Sequence, residues 1–241
     1  MSPRVTLALD TSESRGSVAA RQDGRLSSFE LHQNDEDYSS WLLPAVHDVL
    51  REARSTLSDL SLLAVSTGPG SFTGLRVGLT TVKAWAEAYR TPVVGISRLE
   101  ALANRGPQTA TQIAAYYDAQ RGQVFAGLFH RDTNGLQALA PEAVLTSEAF
   151  LELVSVTCGA APVSWVPLDP ALILRQEKWR ERAALGDKLL PFEGILADSI
   201  GELAEERARK HQFSDPVTLD ANYVRRSDAE LSWKGNLKYV R

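Results

Sequence analysis

Cysteine is almost missing from this chain: Cys158 is the single one. One thiol builds neither an internal disulfide framework nor a cysteine-ligated zinc site. A reducing, cytoplasmic setting fits. An excess of basic charge is also missing. The net charge is −4, so bulk electrostatics give no reason to expect nucleic-acid binding. No long apolar run opens the chain. In MSPRVTLALD the apolar stretch is about five residues and ends in an acid, which suits neither a signal peptide nor a membrane span. The familiar chemical motifs are absent too. His32, His47, His130 and His211 stand beside no nucleophile-type motif, and there is no H-E-x-x-H, no Walker motif and no group of acids at metal-ligand spacing. No catalytic residue and no metal ligand are therefore assigned. Repeats and low-complexity stretches are lacking as well.

What is present is enough apolar material for a sizeable core. The chain has 241 residues, 44% of them hydrophobic, which allows one large domain or two small ones. Its centre is residues 64–89, AVSTGPGSFTGLRVGLTTVKAWAEAY. A short apolar strand, Leu62 to Val65, ends in a glycine-rich turn that feeds a long apolar helix. Gly68, Gly70, Gly74 and Gly78 fall within eleven residues, with Pro69 between the first two. Two readings are open. A strand, a glycine turn and a helix start present backbone N–H groups to an anion. Glycine also lets helix and strand pack closely. The spacing is neither G-x-x-x-x-G-K-[ST] nor a clean G-x-G-x-x-G.

Ahead of this segment, Val5 to Leu9, Gly16 to Arg21 and Arg25 to His32 read as three consecutive antiparallel strands. Asp23-Gly24 marks a hairpin turn. Asp10 closes the first strand. It is either a turn-former bonding its own backbone or a carboxylate placed near a phosphate. A helix follows from Ser40 or Trp41 to about Ala53, with Pro44 in its first turn. Leu42, Val46, Val49 and Ala53 recur at helical spacing, and Leu43 and Leu50 widen the stripe. His47 reads as a surface or partly packed residue.

The helix after the glycine turn, Leu75 to Tyr89, is apolar nearly all round. Leu75, Val77, Leu79, Val82, Ala84, Trp85, Ala86, Ala88 and Tyr89 do not keep to one stripe. Such a helix needs cover on more than one side, from within the chain or from another chain. Pro92 to Ile96 is the next strand, and Ser97-Arg98-Leu99-Glu100 is a capping-box pattern opening a helix to about Asn104. The order β-β-β-α-β-α-β-α predicts a mixed sheet covered by helices.

Arg105 to Thr111 is a candidate boundary. Beyond it, Ile113 to Ala119 and Gln123 to His130 read as strands joined around Arg121-Gly122, with Leu136 to Leu139 as a third. A helix capped by Thr146 or Ser147 turns Ala149, Phe150, Leu153 and Val154 inward. Residues 157–192 show at most one short strand. Glu193 to Lys210 is a helix with Leu196, Ile200, Leu203 and Ala204 inward, and with Arg207, Arg209 and Lys210 in its last turn, where they complement the dipole. From Phe213 onward the tail has no helical period and ends basic. It is either a solvated tail or a contact for RNA or an acidic partner.

The segment Gly68-Pro69-Gly70-Ser71-Phe72-Thr73-Gly74-Leu75-Arg76-Val77-Gly78 resembles the signature of the TsaB family, also called YeaZ. The opening Leu7-Ala8-Leu9-Asp10-Thr11-Ser12, the Leu42-Leu43-Pro44 of the first helix and Ser97-Arg98-Leu99-Glu100-Ala101-Leu102-Ala103 are similar to that family as well. So are Asp118-Ala119-Gln120-Arg121-Gly122-Gln123-Val124-Phe125 and Asn222-Tyr223-Val224-Arg225. The match covers residues 4–130 and part of the tail.

The resemblance implies an α/β, actin-like (ASKHA, ribonuclease-H-like) fold with two related lobes. Residues 1–105 would form the first, 106–192 a smaller second, and 193–241 a C-terminal helix and tail packing back on them. It also implies a part in making threonylcarbamoyladenosine at tRNA position 37. The chain would be the non-catalytic heterodimer partner of TsaD, joined by the ATPase TsaE, meeting tRNA only within the complex and no membrane; the alternative is a weak actin-like ATPase or a peptidase acting on its own. The family interface would lie on the first two helices, about residues 41–53 and 75–89. Trp41, Leu42, Val46, Val49, Leu75, Leu79, Val82 and Trp85 would carry it, and the same face would serve a homodimer. No cofactor would be held tightly. ATP or ADP at the partner interface is the family's option, with Asp10, Thr11, Ser12, Gly70 and Ser71 as nucleotide contacts. Some residues depart from the family pattern. Tyr38 stands where a histidine is frequent, Gln120 and Gln123 replace an arginine and a glutamate, and no glycine follows Asp10.

Overall fold

The computed structural model describes residues 4–32 and 37–224. In chain order, the first half comprises β1 (Val5–Asp10), β2 (Ser17–Gln22), β3 (Arg25–Leu31), α1 (Tyr38–Glu52), β4 (Leu60–Ser66), α2 (Phe72–Tyr89), β5 (Val93–Ile96) and α3 (Arg98–Asn104). It forms one sheet of order β3-β2-β1-β4-β5. β1, β2 and β3 are the expected antiparallel meander, and β4 and β5 add in parallel. Asp23 and Gly24 both take positive φ, as the tight hairpin turn requires. Side chains alternate along β1. Val5, Leu7 and Leu9 pack on α1 and α2, while Ala8 belongs to the core on the opposite face.

The second half repeats that plan. It contains β6 (Gln112–Asp118), β7 (Gln123–Asp132), β8 (Gly135–Ala138), β9 (Ala143–Thr146), α4 (Ser147–Cys158), β10 (Ser164–Pro167), α5 (Ala171–Leu174), α6 (Lys178–Ala184) and β11 (Lys188–Leu189). Read as β8-β7-β6-β10-β11, its sheet matches β3-β2-β1-β4-β5 position for position. β9 pairs in addition with β7. The chain then returns in α7 (Leu196–Arg209), which packs on β1, β2, β4 and β5. Leu196, Ile200, Leu203 and Ala204 are buried as their spacing predicts. Arg21, itself buried, reaches Asp198 and Glu205 of α7. Arg207 donates to the Gly95 carbonyl and to Glu100, so it ties helix to sheet as well as facing the helix dipole.

Several local expectations are corrected. α1 begins at Tyr38 rather than Ser40 or Trp41, because the Asp37 carbonyl already accepts from the Ser40 and Trp41 amides. Pro44 therefore stands beyond the first turn. Leu43 does not widen the buried stripe but points outward, 58% exposed. In α4, Ala149 is exposed and Leu151 takes the inward place. Glu100 does not complete a capping box. Ser97 Oγ accepts from the Leu99 and Glu100 amides as a cap should, but the Glu100 carboxylate pairs with Arg207. α7 starts at Leu196, not Glu193.

Residues 157–192, read as one short strand at most, hold β10, β11, α5 and α6. Their anchor is polar. Asp187 accepts from Nε and Nη2 of buried Arg182, and from Trp165 Nε1 and the Val163 amide. Such an anchor leaves no apolar period to read. After α7 the chain runs beside β5, where Ser214 N donates to the Val93 carbonyl. Arg225, Arg226 and the rest of the basic tail lie outside the described residues.

Candidate functional site

The glycine segment is where the ends of β1 and β4 meet. Ser66 Oγ shares a hydrogen bond with Ser12 Oγ at 2.7 Å. The Ser71 amide donates to the Ser12 carbonyl at 2.6 Å, and the Arg98 amide donates to the Gly68 carbonyl at 2.7 Å. Tyr117, from the second sheet, donates its hydroxyl to the Pro69 carbonyl at 2.7 Å. A Cβ at Gly70 would strike the Ser12 carbonyl, one at Gly74 the Thr11 carbonyl and one at Gly78 the Thr11 hydroxyl. The glycines thus serve close backbone approach, the second of the two sequence readings.

Asp10, Thr11 and Ser12 are all buried. Asp10 Oδ1 accepts from the Ser12 amide at 3.1 Å, so the turn-forming reading of Asp10 holds, and it accepts from the Ser12 hydroxyl as well. Its other oxygen accepts from Arg98 Nε at 3.1 Å. Arg98 lies over the Tyr117 ring, 4.5 Å from its centroid. Burial works against the charge on Arg98. The neighbouring carboxylates, Asp10 first and Glu13 after it, outweigh it and raise the guanidinium pKa above its ordinary value. As placed, these residues do not fit a nucleotide's phosphates. Their polar atoms bond one another, and Gly70 has the Ser12 carbonyl where a ligand would need room. Sequence reasoning missed Arg98 as a partner of Asp10. The available signal was a lone arginine inside an otherwise apolar strand-to-helix junction.

The outward side of α1 and α2 is the other notable region. Of the expected contact residues, Trp41, Leu42, Val46, Val49, Leu75, Leu79 and Val82 are buried in the chain's own core, and Trp85 alone is half-exposed. Leu42 and Val46 nonetheless line the groove between the two helices. Helical spacing identifies an apolar face, and this face is used by β1, β2 and β4. The same helices expose a different set. Leu43, Phe72 and Tyr89 are exposed, and Val77 and Trp85 are half-buried. These residues line two stretches of an open groove between α1 and α2, each about 540 Å³. Arg76 sits over the Phe72 ring at 3.7 Å, and Tyr223 packs beside that ring at 5.3 Å. Tyr38, where the family pattern has a histidine, lines the groove, stacks on His32 at 4.2 Å and bonds the Glu13 carbonyl. His47 is exposed on the same helix. Among the described residues no group of histidine, cysteine or acid side chains is placed to hold a metal ion, and no helix is long and apolar enough to cross a membrane.

Comparison with known proteins adds a family context. A family model described as "TsaD: tRNA N6-adenosine threonylcarbamoyltransferase" matches residues 31–162. The tRNA threonylcarbamoyladenosine biosynthesis protein TsaB of Escherichia coli strain K12 is 32% identical over 229 residues, covering 90% of this chain and 94% of the relative. A Pseudomonas aeruginosa crystal structure, described as an uncharacterized protein with similarity to peptidase YEAZ, superposes with a TM-score of 0.75 at 28% identity. It covers 92% of this chain and 100% of its own. The ROK hexokinase of Thermus thermophilus superposes with a TM-score of 0.51 at 13% identity, covering 85% of this chain and 99% of its own. That last likeness concerns the fold alone, which is the actin-like fold of two related lobes.

Proposed function

The chain belongs to the TsaB family, and we propose that it serves the biosynthesis of threonylcarbamoyladenosine in tRNA as a docking partner rather than as the catalyst. TsaD would be the partner, as a heterodimer, and TsaE would join the pair. The observation that carries this reading is the α1–α2 groove. An apolar face of this kind, rimmed by polar residues, is the usual mark of a protein interface. Leu43, Phe72, Val77, Trp85 and Tyr89 present aromatic and aliphatic surface with no described residue set over most of it. Aromatic anchors in such a setting are where binding energy concentrates.

The non-catalytic half of the proposal rests on Asp10. In an actin-like fold the end of the first strand is where phosphate chemistry would be expected. Here the Asp10 carboxylate is engaged by Arg98, Ser12 and the Ser12 amide. A carboxylate so placed holds the junction of the two sheets in shape. It has no side open to a substrate.

The test is direct association. The purified chain is mixed with TsaD of the same organism and resolved by size-exclusion chromatography with light scattering. A one-to-one complex is expected, replacing any self-dimer formed through the same groove. Absence of a complex, with and without ATP and TsaE, would overturn the docking reading. Hydrolysis by the chain alone, abolished in Asp10→Ala, would overturn the non-catalytic one.

A further inference from the structure

The cleft between the two sheets holds polar groups that docking at α1 and α2 leaves unused. Arg98 is 1% exposed and lines this cleft, a cavity of about 170 Å³. Its Nε is engaged by Asp10, but Nη1 has no hydrogen-bond partner. Buried polar atoms are almost always satisfied, and an exception calls for an explanation. Glu13 lines the same cleft, and its carboxylate makes no hydrogen bond or ion pair with any described residue. Burial raises the Glu13 pKa, Arg98 pulls against it, and Asp10 and Asp118 add to the rise.

The start of α7 opens on the same space, with Gly194, Ile195 and Leu196 in its lining. Ile195 is the N-cap of this 14-residue helix and offers no side-chain acceptor. The Ala197 amide is met by Ser17 Oγ at 3.1 Å. The helix end as a whole still favours negative charge. Arg15 adds a positive group to the lining, and Asp118, Asp169 and Glu193 add negative ones. A simple anion would be attracted by Arg98 and the helix start and repelled by the acids. A simple cation would meet the reverse. A small molecule carrying both charges on neighbouring atoms satisfies each set at once.

We propose that this cleft binds a free α-amino acid, its carboxylate received by Arg15 and the start of α7 and attracted by the buried charge of Arg98, its ammonium by Glu13 and Glu193. The cavity far exceeds the ~10–15 Å³ that one water needs, so a small solute has room. The site touches neither α1 nor α2, and the inference stands apart from the docking reading.

The test uses the full chain alone. Thermal unfolding is followed by tryptophan fluorescence while the standard amino acids are added one at a time, with propionate, ethylamine and ADP as comparators. A saturable rise in Tm is expected with at least one amino acid, and none with propionate or ethylamine, which carry one charge each. Glu13→Gln should keep the ligand-free Tm and weaken the response about tenfold, the cost of losing one charged hydrogen bond. No response to any amino acid, an equal response to propionate or ethylamine, a response to ADP alone, or an undiminished response in Glu13→Gln would each overturn the proposal. Because no partner protein is present, such a failure leaves the docking proposal untouched.

Discussion

The Thr11 hydroxyl donates to the Gly74 carbonyl at 2.7 Å, joining residues 63 apart in the chain. Around that bond the start of α2 lies directly against the turn after β1. A Cβ at Gly74 would strike the Thr11 carbonyl, and a Cβ at Gly78 the Thr11 hydroxyl. A hydroxyl can rotate away by giving up its bond, whereas a carbonyl moves only with its strand. Gly78→Ala should therefore cost about 1–3 kcal/mol and Gly74→Ala more. Urea unfolding curves of the two variants decide it. Midpoints equal to that of the parent would show that the contact is not as tight as drawn.

Trp85 and Leu79 separate docking from folding. Trp85 is half-exposed in the groove, and Leu79 is 4% exposed in the core. Trp85→Glu should keep the parent's Tm and reduce association with TsaD at least about tenfold, as loss of an aromatic anchor does. Leu79→Glu buries a charge with no partner and should destabilise the fold by several kcal/mol. Circular dichroism and co-elution measured on both variants test the pair. Association that survives Trp85→Glu would move the interface elsewhere.

Asp10 and Arg98 form an ion pair with side chains 1% and 2% exposed. Removing one member of such a pair leaves an uncompensated buried charge and costs about 3–5 kcal/mol. Asp10→Ala should show this loss in denaturant unfolding. The double change Asp10→Leu with Arg98→Met should recover part of it, since no charge is then stranded. A double variant as unstable as the sum of the two single changes would argue against that account.

Glu142 supplies a pH dependence. Its carboxylate accepts from the Ser97 hydroxyl and from Asn222 Nδ2. Burial raises its pKa from 4.5 to about 7, with Glu100 adding to the rise and the Ser97 and Asn222 bonds opposing it. The folded form therefore holds this proton more tightly than the unfolded form does. Its contribution to stability is complete below about pH 4.5 and is lost as pH rises through about 7. Against Glu142→Gln, which mimics the protonated acid, the parent should lose relative stability across that interval. Parallel stability curves for the two proteins would contradict the assignment.

Much of the fold is legible because it rests on local devices. Asp23-Gly24 and the cap at Ser97 each act within a few residues, and each is found where the sequence places it. The repeated sheet order was within reach because both halves open on a meander. What was not legible depends on distant partners. Arg182 and Asp187 organise the stretch around β10 through polar contacts. Trp41, Leu42 and Leu79 carry the correct apolar period, but period alone cannot distinguish an internal sheet from an external partner. Arg98 lies 88 residues from Asp10, and no spacing rule joins them.

Around Thr11 and Ser12, backbone meets backbone with no side chain between. Elsewhere in a core, a volume lost at one position can be restored by a larger neighbour. At Gly70 and Gly74 there is no neighbour to trim, so drift is closed to these positions even when the surface above them changes. Over long divergence such a segment would outlast the contacts it supports. A glycine signature of this kind is then a record of distance between two strands' ends. It would persist in descendants that had exchanged one binding partner for another.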